Sequence, residues 1–148
     1  MKYRKKEKQD MSSYTKPLPV PSKWSQPFWD GTRQHKLLFK RCSKCGTIDH
    51  PPYLYCTECW AEEHEWVQAS GKGKIYAFTT CLLGAPPAFT DDQPFTLAVV
   101  DLPEGPRMLS TIIEAKPEDL TIGMEVEVVF DKVTEEITLP RFRPLKKE

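Results

Sequence analysis

The chain has 148 residues, of which 39% are hydrophobic and 28% charged, enough for one ordinary domain or two small ones that share a boundary. This composition excludes an intrinsically disordered chain. The formal net charge is zero, so the sequence has no overall attraction to nucleic acid or to an anionic membrane. No run reaches the roughly 18 apolar residues that a membrane span needs, and no apolar region follows the charged N-terminus as it would in a signal peptide. We therefore expect a cytoplasmic protein, in which closely spaced cysteines hold metal more often than they form disulfides.

The N-terminal part of the chain predicts a tail, a helix and a strand. Residues 1–21 begin with basic side chains and end in prolines, which predicts a flexible tail and an extended lead-in. A helix is predicted within residues 22–36, because Ser25 precedes Pro27 and proline is tolerated in the first turn of a helix. Leu37, Phe39 and Arg41 take alternate positions within residues 36–41, which indicates a strand.

The second half of the chain predicts five strands, at residues 74–83, 95–102, 107–114, 124–130 and 137–142. Two prolines and a glycine within residues 103–106 predict a hairpin turn between the second and third strands. Residues 116–120 predict one short helical turn before the fourth strand. Five short strands with a helical turn between the third and fourth are typical of an OB-type barrel.

Four of the five cysteines form two pairs, Cys42-x2-Cys45 and Cys56-x2-Cys59. A Cys-x2-Cys turn places two thiolates on one tight loop, and two such turns supply the tetrahedral set of four sulfurs that zinc prefers. Two disulfides are disfavoured by the expected compartment, and a redox pair is disfavoured because no βαβ pattern surrounds either motif. Iron in a rubredoxin-type site stays open, since it takes the same ligands. Four thiolates leave no position for water, so the metal is predicted to be structural rather than catalytic.

We predict packing or surface roles for the remaining cysteine and for the nearby histidines. Cys81 lies among apolar residues and is predicted to be a small core residue. His50 and His64 lie near the cysteine pairs, but four cysteines already complete the site. The sequence therefore predicts a mostly β chain: an N-terminal helix at 22–36, a rubredoxin-like zinc ribbon at 37–69 and a five-stranded OB-fold barrel at 70–145.

The order and spacing of several short motifs resemble one protein family. Along the chain these are Pro27-Phe28-Trp29-Asp30-Gly31, Arg41-Cys42-x2-Cys45-Gly46, Pro51-Pro52, Trp66 before Gly71-x-Gly73, the strand from Phe95 to Asp101, Ile122-Gly123-Met124-x-Val126, and Leu139-Pro140-Arg141-Phe142-Arg143-Pro144. Over residues 22–145 the chain is similar to the two-domain zinc-ribbon/OB-fold proteins associated with acyl-CoA metabolism, once catalogued as a domain of unknown function. His50 stands where this family often has an aromatic residue, and Trp60 where it often has another residue.

The resemblance implies an accessory role rather than an enzyme. Such proteins are non-catalytic partners of thiolase-like enzymes, of hydroxymethylglutaryl-CoA synthase or of MaoC-like hydratases, and they help to bind acyl-CoA or bridge successive enzymes. Coenzyme A would need cations for its phosphates and an aromatic or apolar shelf for the rest of the molecule. The residues predicted to supply them are Lys72, Lys74, Arg141 and Arg143 as cations, and Phe28, Trp29 and Phe142 as shelves.

The alternative function is binding of single-stranded nucleic acid, because zinc ribbons and OB barrels also serve that role. Such proteins need a basic groove with exposed aromatic side chains. Residues 11–148 are slightly acidic instead, and their aromatic residues alternate along the strands as core residues do. The sequence therefore favours the accessory role, with no membrane partner.

Removal of zinc is expected to unfold residues 36–66, because this segment has too little core to fold without a metal. Limited proteolysis before and after chelation checks this, and new cleavage sites should appear within the segment. An unchanged proteolysis pattern after verified loss of zinc would contradict the prediction.

Overall fold

The computed structural model describes residues 14–146, and this part of the chain confirms the mostly β fold class. In chain order its elements are α1 (Gln26–Arg33), β1 (Leu38–Cys42), β2 (Ile48–Asp49), β3 (His64–Gln68), β4 (Lys72–Cys81), β5 (Phe95–Asp101), β6 (Arg107–Ile112), β7 (Glu125–Lys132) and β8 (Thr138–Pro144). Two short 3-10 turns cover Pro87–Asp92 and Pro117–Asp119. Among these elements there is no helix with the length and apolar character needed to span a membrane.

The predicted tail is described only in part. Residues 1–13 lie outside the described residues, whereas residues 14–21 have no regular secondary structure. Lys16 Nζ lies 3.0 Å from Asp92 Oδ2, in the 3-10 turn that follows β4. The described part of the predicted tail is therefore attached to the barrel by an ion pair.

Helix α1 is shorter than the predicted segment 22–36. Its end is set by two backbone hydrogen bonds, in which the N–H of Lys36 donates to Gly31 O (2.9 Å) and that of His35 to Thr32 O (3.0 Å). His35 takes a left-handed conformation with φ 59°, so this is a Schellman ending. Glycine or asparagine usually occupies that position. Because histidine stands there instead, no residue in the sequence indicates that the helix ends at this point.

The ribbon is a three-stranded sheet with the order β2-β1-β3. Strand β3 pairs antiparallel with β1 from Leu38↔Gln68 to Cys42↔His64. No strand is predicted from the sequence at the position of β3. Its residues are exposed or half-buried, so no strict apolar alternation marks them, and pairing with β1 is what forms the strand.

The barrel is closed, with the strand order β4-β5-β6-β8-β7. Its five strands are the five that the sequence predicts, and the β5–β6 hairpin closes at Asp101↔Arg107 around the predicted turn. The closing contact between β6 and β8 is parallel, at Ile112↔Phe142. The predicted OB fold is confirmed.

One hydrophobic core runs from the ribbon into the barrel. Phe28 of α1 and Leu37 and Phe39 beside or within β1 belong to the same buried cluster as the barrel residues Ile75, Ala98, Val100, Met108, Ile112, Val126 and Phe142. The helix, the ribbon and the barrel are therefore packed together. Cys81 is not part of this core. It is the last residue of β4 and is only partly buried, so its predicted core role is wrong.

Candidate metal centre and ligand-binding residues

The four predicted metal ligands converge at one end of the ribbon sheet. Cys42 ends β1, Cys45 lies in the loop to β2, and Cys56 and Cys59 lie in the connection to β3. All four Sγ atoms lie within 4.8 Å of one another, with Cys42 and Cys59 3.6 Å apart and Cys45 and Cys56 3.5 Å apart. A tetrahedral zinc site with Zn–S bonds of about 2.3 Å places its sulfurs about 3.8 Å apart. The donor set and its spacing therefore fit zinc.

Both Cys-x2-Cys turns direct backbone amides at a sulfur. The N–H of Lys44 donates to Cys42 Sγ and that of Glu58 to Cys56 Sγ, each at 3.4 Å. Such hydrogen bonds stabilise the thiolate over the thiol, and the thiolate is the form that binds metal. The two turns thus supply the same electrostatic support to the site.

The two turns also end alike, in a left-handed residue. Gly46 N–H donates to Cys42 O (2.9 Å) and Trp60 N–H to Cys56 O (3.1 Å), with φ of 79° and 60°. Glycine adopts this conformation freely, whereas another L-residue loses about 1–2 kcal/mol. The second turn is therefore strained at Trp60, where the sequence already departs from the glycine preference.

Their surroundings shift the pKa values of Cys45 and Cys59 in opposite directions. A hydrogen bond to the Thr47 side chain is the main cause that lowers the pKa of Cys45 to about 6. For Cys59, the Ala61 N–H lowers the pKa, but burial and hydrogen bonds with the other three sulfurs outweigh it and raise the pKa to about 12. Four adjacent sulfurs cannot all ionise without a compensating cation, so metal binding must release protons.

A buried lysine and a buried aspartate, which the sequence analysis missed, brace the second Cys-x2-Cys turn. Lys40 and Asp49 face each other in the β1–β2 register and are 5% and 8% exposed. Lys40 Nζ donates to the carbonyls of Tyr53 and Leu54, and Asp49 accepts hydrogen bonds from the Thr57 hydroxyl and N–H. Burial lowers the pKa of Lys40, and Asp49 opposes that shift. Charged residues in a short strand usually mark its solvent side, so no sequence signal pointed to these contacts.

His50 is half-buried and packs between two aromatic rings. Its ring centroid lies 5.2 Å from that of Phe28 and 5.3 Å from that of Phe39. Within residues 14–146 its Nδ1 has no hydrogen-bond partner. Burial lowers the pKa of His50 to about 4, so the ring is neutral at physiological pH and acts in packing.

The predicted ligand-binding cations lie on the outer face of the barrel. Lys72, Glu127 and Arg143 face one another across β4, β7 and β8. Arg143 Nε donates to Glu127 Oε1 (2.9 Å) and its Nη1 to Glu114 Oε2 (3.2 Å). The hydrogen bond with Glu127 is the first cause that raises the pKa of Arg143. The guanidinium is therefore already held by two carboxylates.

Of the other two predicted cations, Arg141 is also held by polar side chains, whereas Lys74 is not. Arg141 Nε donates to Asp131 Oδ2 (2.6 Å) and Nη1 to Thr111 Oγ1 (2.7 Å). Lys74 faces Asp101 and Glu125 across its neighbouring strands but forms no salt bridge with another described residue. Both arginines are thus tied to the barrel, whereas the lysines keep their ammonium groups available.

The predicted aromatic shelf needs a correction. Phe142 is fully buried inside the barrel and Phe28 is 4% exposed, so neither ring offers a surface to a ligand. Trp29 is partly buried and packs edge-on against Phe28, with 5.1 Å between the ring centroids. Alternation places Arg141 and Arg143 outside the barrel, and it therefore places Phe142 inside.

An open groove of about 430 Å³ lies between the end of α1 and the β7–β8 connection. Its walls pair opposite charges: Arg33 lies 3.8 Å from Asp30, and Lys132 lies 2.9 Å from Glu135. None of the predicted ligand-binding residues lines this groove. Its balanced charge gives no field that would attract a phosphate group.

The geometry above agrees with the family models that match the chain. The model described as "ChsH2, rubredoxin-like zinc ribbon domain" matches residues 29–65, and "ChsH2, C-terminal OB-fold domain" matches residues 66–131. A "DUF35 domain-containing scaffold protein" of Methanocaldococcus jannaschii is 39% identical over 101 residues, which cover 68% of this chain and 71% of that protein. The chain belongs to this DUF35 family. The resemblance seen in the sequence is thereby confirmed, and the metal of the ribbon is zinc.

Other relatives of this DUF35 chain are named as enzyme subunits. "Benzoylsuccinyl-CoA thiolase subunit BbsA" of Geobacter metallireducens is 33% identical over 116 residues, 78% of this chain and 70% of that protein. "Probable enoyl-CoA hydratase alpha subunit" of Thermomonospora curvata is 31% identical over 129 residues, but this chain spans only 40% of its length. A solved chain described as "Ltp2-ChsH2(DUF35) aldolase" has a TM-score of 0.77 at 31% identity, covering 86% of this chain and 98% of that one.

The boundary between ribbon and barrel stays a prediction. The predicted boundary lies at residues 69/70, whereas the two family models meet at residues 65/66. Strand β3 lies across this interval and pairs with β1 of the ribbon. Ala69 N–H continues that pairing by donating to Leu37 O at 2.8 Å.

The variant His50→Phe is expected to remove an acid-dependent loss of stability. Because the folded-state pKa of His50 is lowered to about 4, the unfolded chain binds more protons as the pH falls from about 6.5 towards 4. Stability is therefore present above pH 6.5 and is lost in that window, by roughly 3 kcal/mol in full. Denaturant unfolding of the zinc-loaded wild type and variant at pH 7, 6 and 5 measures it.

The exposed residue His64 provides the control, as His64→Phe should keep the wild-type pH dependence. Zinc release in acid lowers the stability of all three proteins alike. It therefore cancels when the stability of each variant is compared with that of the wild type at the same pH. Parallel stability curves for wild type and His50→Phe would disprove the role assigned to His50.

Proposed function

We propose that this DUF35 chain is a non-catalytic accessory subunit of a thiolase-like or related acyl-CoA enzyme, and that it helps to hold the acyl-CoA. One observation carries the proposal: the chain covers 98% of a solved chain described as "Ltp2-ChsH2(DUF35) aldolase", with a TM-score of 0.77. Relatives of matching length are named as a scaffold protein and as a thiolase subunit. Similar small chains are thus named as components of larger assemblies.

The packing of the barrel supports binding on its outer surface. Val100, Val126 and Phe142 are each fully buried inside it. Small five-stranded barrels are commonly filled by their own side chains. An acyl-CoA molecule would therefore lie against the outside of the strands.

The lysines of β4 are the cations best placed to meet the phosphates of CoA. Lys72 and Lys74 are exposed and point away from the core on alternate positions of one strand. An ammonium group acts as a mobile point charge, whereas Arg141 and Arg143 would first have to release their carboxylates. Arg143 contributes by ordering Glu127, the carboxylate that faces Lys72.

Purification of the tagged full-length chain at moderate salt should recover a thiolase-like, synthase-like or hydratase enzyme in stoichiometric amount. Mass spectrometry of the recovered proteins identifies it. The recovered enzyme is then purified separately and mixed with the chain, so that calorimetry can measure the dissociation constant. Recovery of ribosomal or other nucleic-acid-binding proteins, or of no partner, would exclude the accessory role.

The double variant Lys72→Ala/Lys74→Ala is expected to bind CoA about tenfold or more weakly, because it loses charge-assisted contacts with phosphate. Isothermal titration with CoA measures the change. The matched control is Lys36→Ala/Lys116→Ala, which removes the same charge from exposed positions elsewhere. Equal affinity of the two double variants would show that β4 does not bind the phosphates.

A further inference from the structure

The end of the ribbon carries an exposed aromatic patch, made of Tyr53, Leu54, Tyr55 and Trp60. Tyr53 and Tyr55 are each 47% exposed and Trp60 is 76% exposed. Backbone hydrogen bonds join Cys56 to Trp60 and Ala61, so Tyr55 and Trp60 flank the same Cys-x2-Cys turn. Large aromatic side chains that stand in water at one end of a protein are typical of an interaction surface.

Trp60 has a strained backbone conformation in this patch. It holds the left-handed position that Gly46 holds in the other turn, with φ 60°. Its side chain is mostly in water, so packing within the chain does not offset the strain. Strained residues that nothing in the fold requires are found at functional sites.

The patch is also held rigid. The buried Lys40 Nζ fixes the carbonyls of Tyr53 and Leu54, and Asp49 fixes Thr57 at the start of the second turn. Zinc binding to the turn that Trp60 closes adds a further constraint. A rigid surface loses little conformational entropy when a partner binds.

The charged residues around the patch indicate which kind of partner fits it. Residues 53–65 contain four glutamates and no lysine or arginine. Glu65 pairs with Arg41, while Glu58, Glu62 and Glu63 are exposed and form no salt bridge with described residues. This acidic border repels the phosphates of CoA and of nucleic acid. It complements a protein surface with lysines and arginines around an apolar socket.

We propose that the aromatic patch docks the chain onto its acyl-CoA enzyme, with Trp60 inserted into an apolar socket that basic residues surround. The assignment rests on the proposed function for the identity of the partner. It separates two surfaces of the chain: the patch contacts protein, and the outer face of β4 contacts the acyl-CoA.

The variant Trp60→Gly tests the docking surface without damage to the fold. Glycine relieves the left-handed strain, so the midpoint of thermal unfolding and the zinc content should equal or exceed those of the wild type. Binding of the variant to the purified enzyme recovered with the wild-type chain should weaken at least tenfold in calorimetry. Glu58→Lys/Glu62→Lys should weaken binding as well, and more so at low salt, because it reverses the charge that faces the partner.

Leu83→Ala is the control, since Leu83 is 88% exposed but lies in the connection that follows β4. The variant should bind the enzyme as the wild type does. An unchanged dissociation constant for Trp60→Gly would overturn the docking surface while leaving the proposed function intact. A wild-type chain that recovers no acyl-CoA enzyme would overturn both. A wild-type dimer that Trp60→Gly abolishes in sedimentation would assign the patch to a second copy and refute docking onto an enzyme.

Discussion

The convergence of four cysteine sulfurs within 4.8 Å is the constraint on which the ribbon depends. The ribbon sheet is small, and its second strand has only two residues, so it cannot bury enough apolar surface to order its long loops. Zinc bound to two Cys-x2-Cys turns fixes those loops directly. The same turns place Trp60 and the neighbouring tyrosines in water, so the metal supports both the fold of the ribbon and the surface it presents.

The ribbon and the barrel depend on each other through their shared core. Phe28, Leu37 and Phe39 lie in one buried cluster with the barrel residues, and β3 leads directly into β4. His50 packs against two of these rings as a neutral, half-buried imidazole. The two surfaces differ in charge: the barrel face carries cations among ordered carboxylates, and the ribbon end carries glutamates around aromatic rings. In the proposed function, this division assigns the anionic ligand to the barrel face and the protein partner to the ribbon end.

Much of the fold could be predicted because its signals are local. The five barrel strands and their hairpin turn follow from alternation and turn residues, and the zinc ligands from spacing alone. Strand β3 was missed because its pattern is weak and its partner β1 lies over twenty residues earlier. The end of α1 was missed because His35 takes a position that usually holds glycine. Lys40 and Asp49 were missed because nothing local says that a charged residue will be buried beside its counterpart in the next strand.

The sequence by itself determined the four-cysteine metal site and the five-stranded OB-type barrel, because a ligand set and a strand period are fixed by spacing along the chain, but it left the choice between zinc and iron open. Only the tertiary structure decided what the side chains of the barrel strands contact. It placed Phe142 inside the barrel and tied Arg141 and Arg143 to carboxylates, and so it left Lys72 and Lys74 as the available cations. It also showed that Trp60 is strained and exposed, because backbone conformation and exposure arise only when the turns close around their ligands.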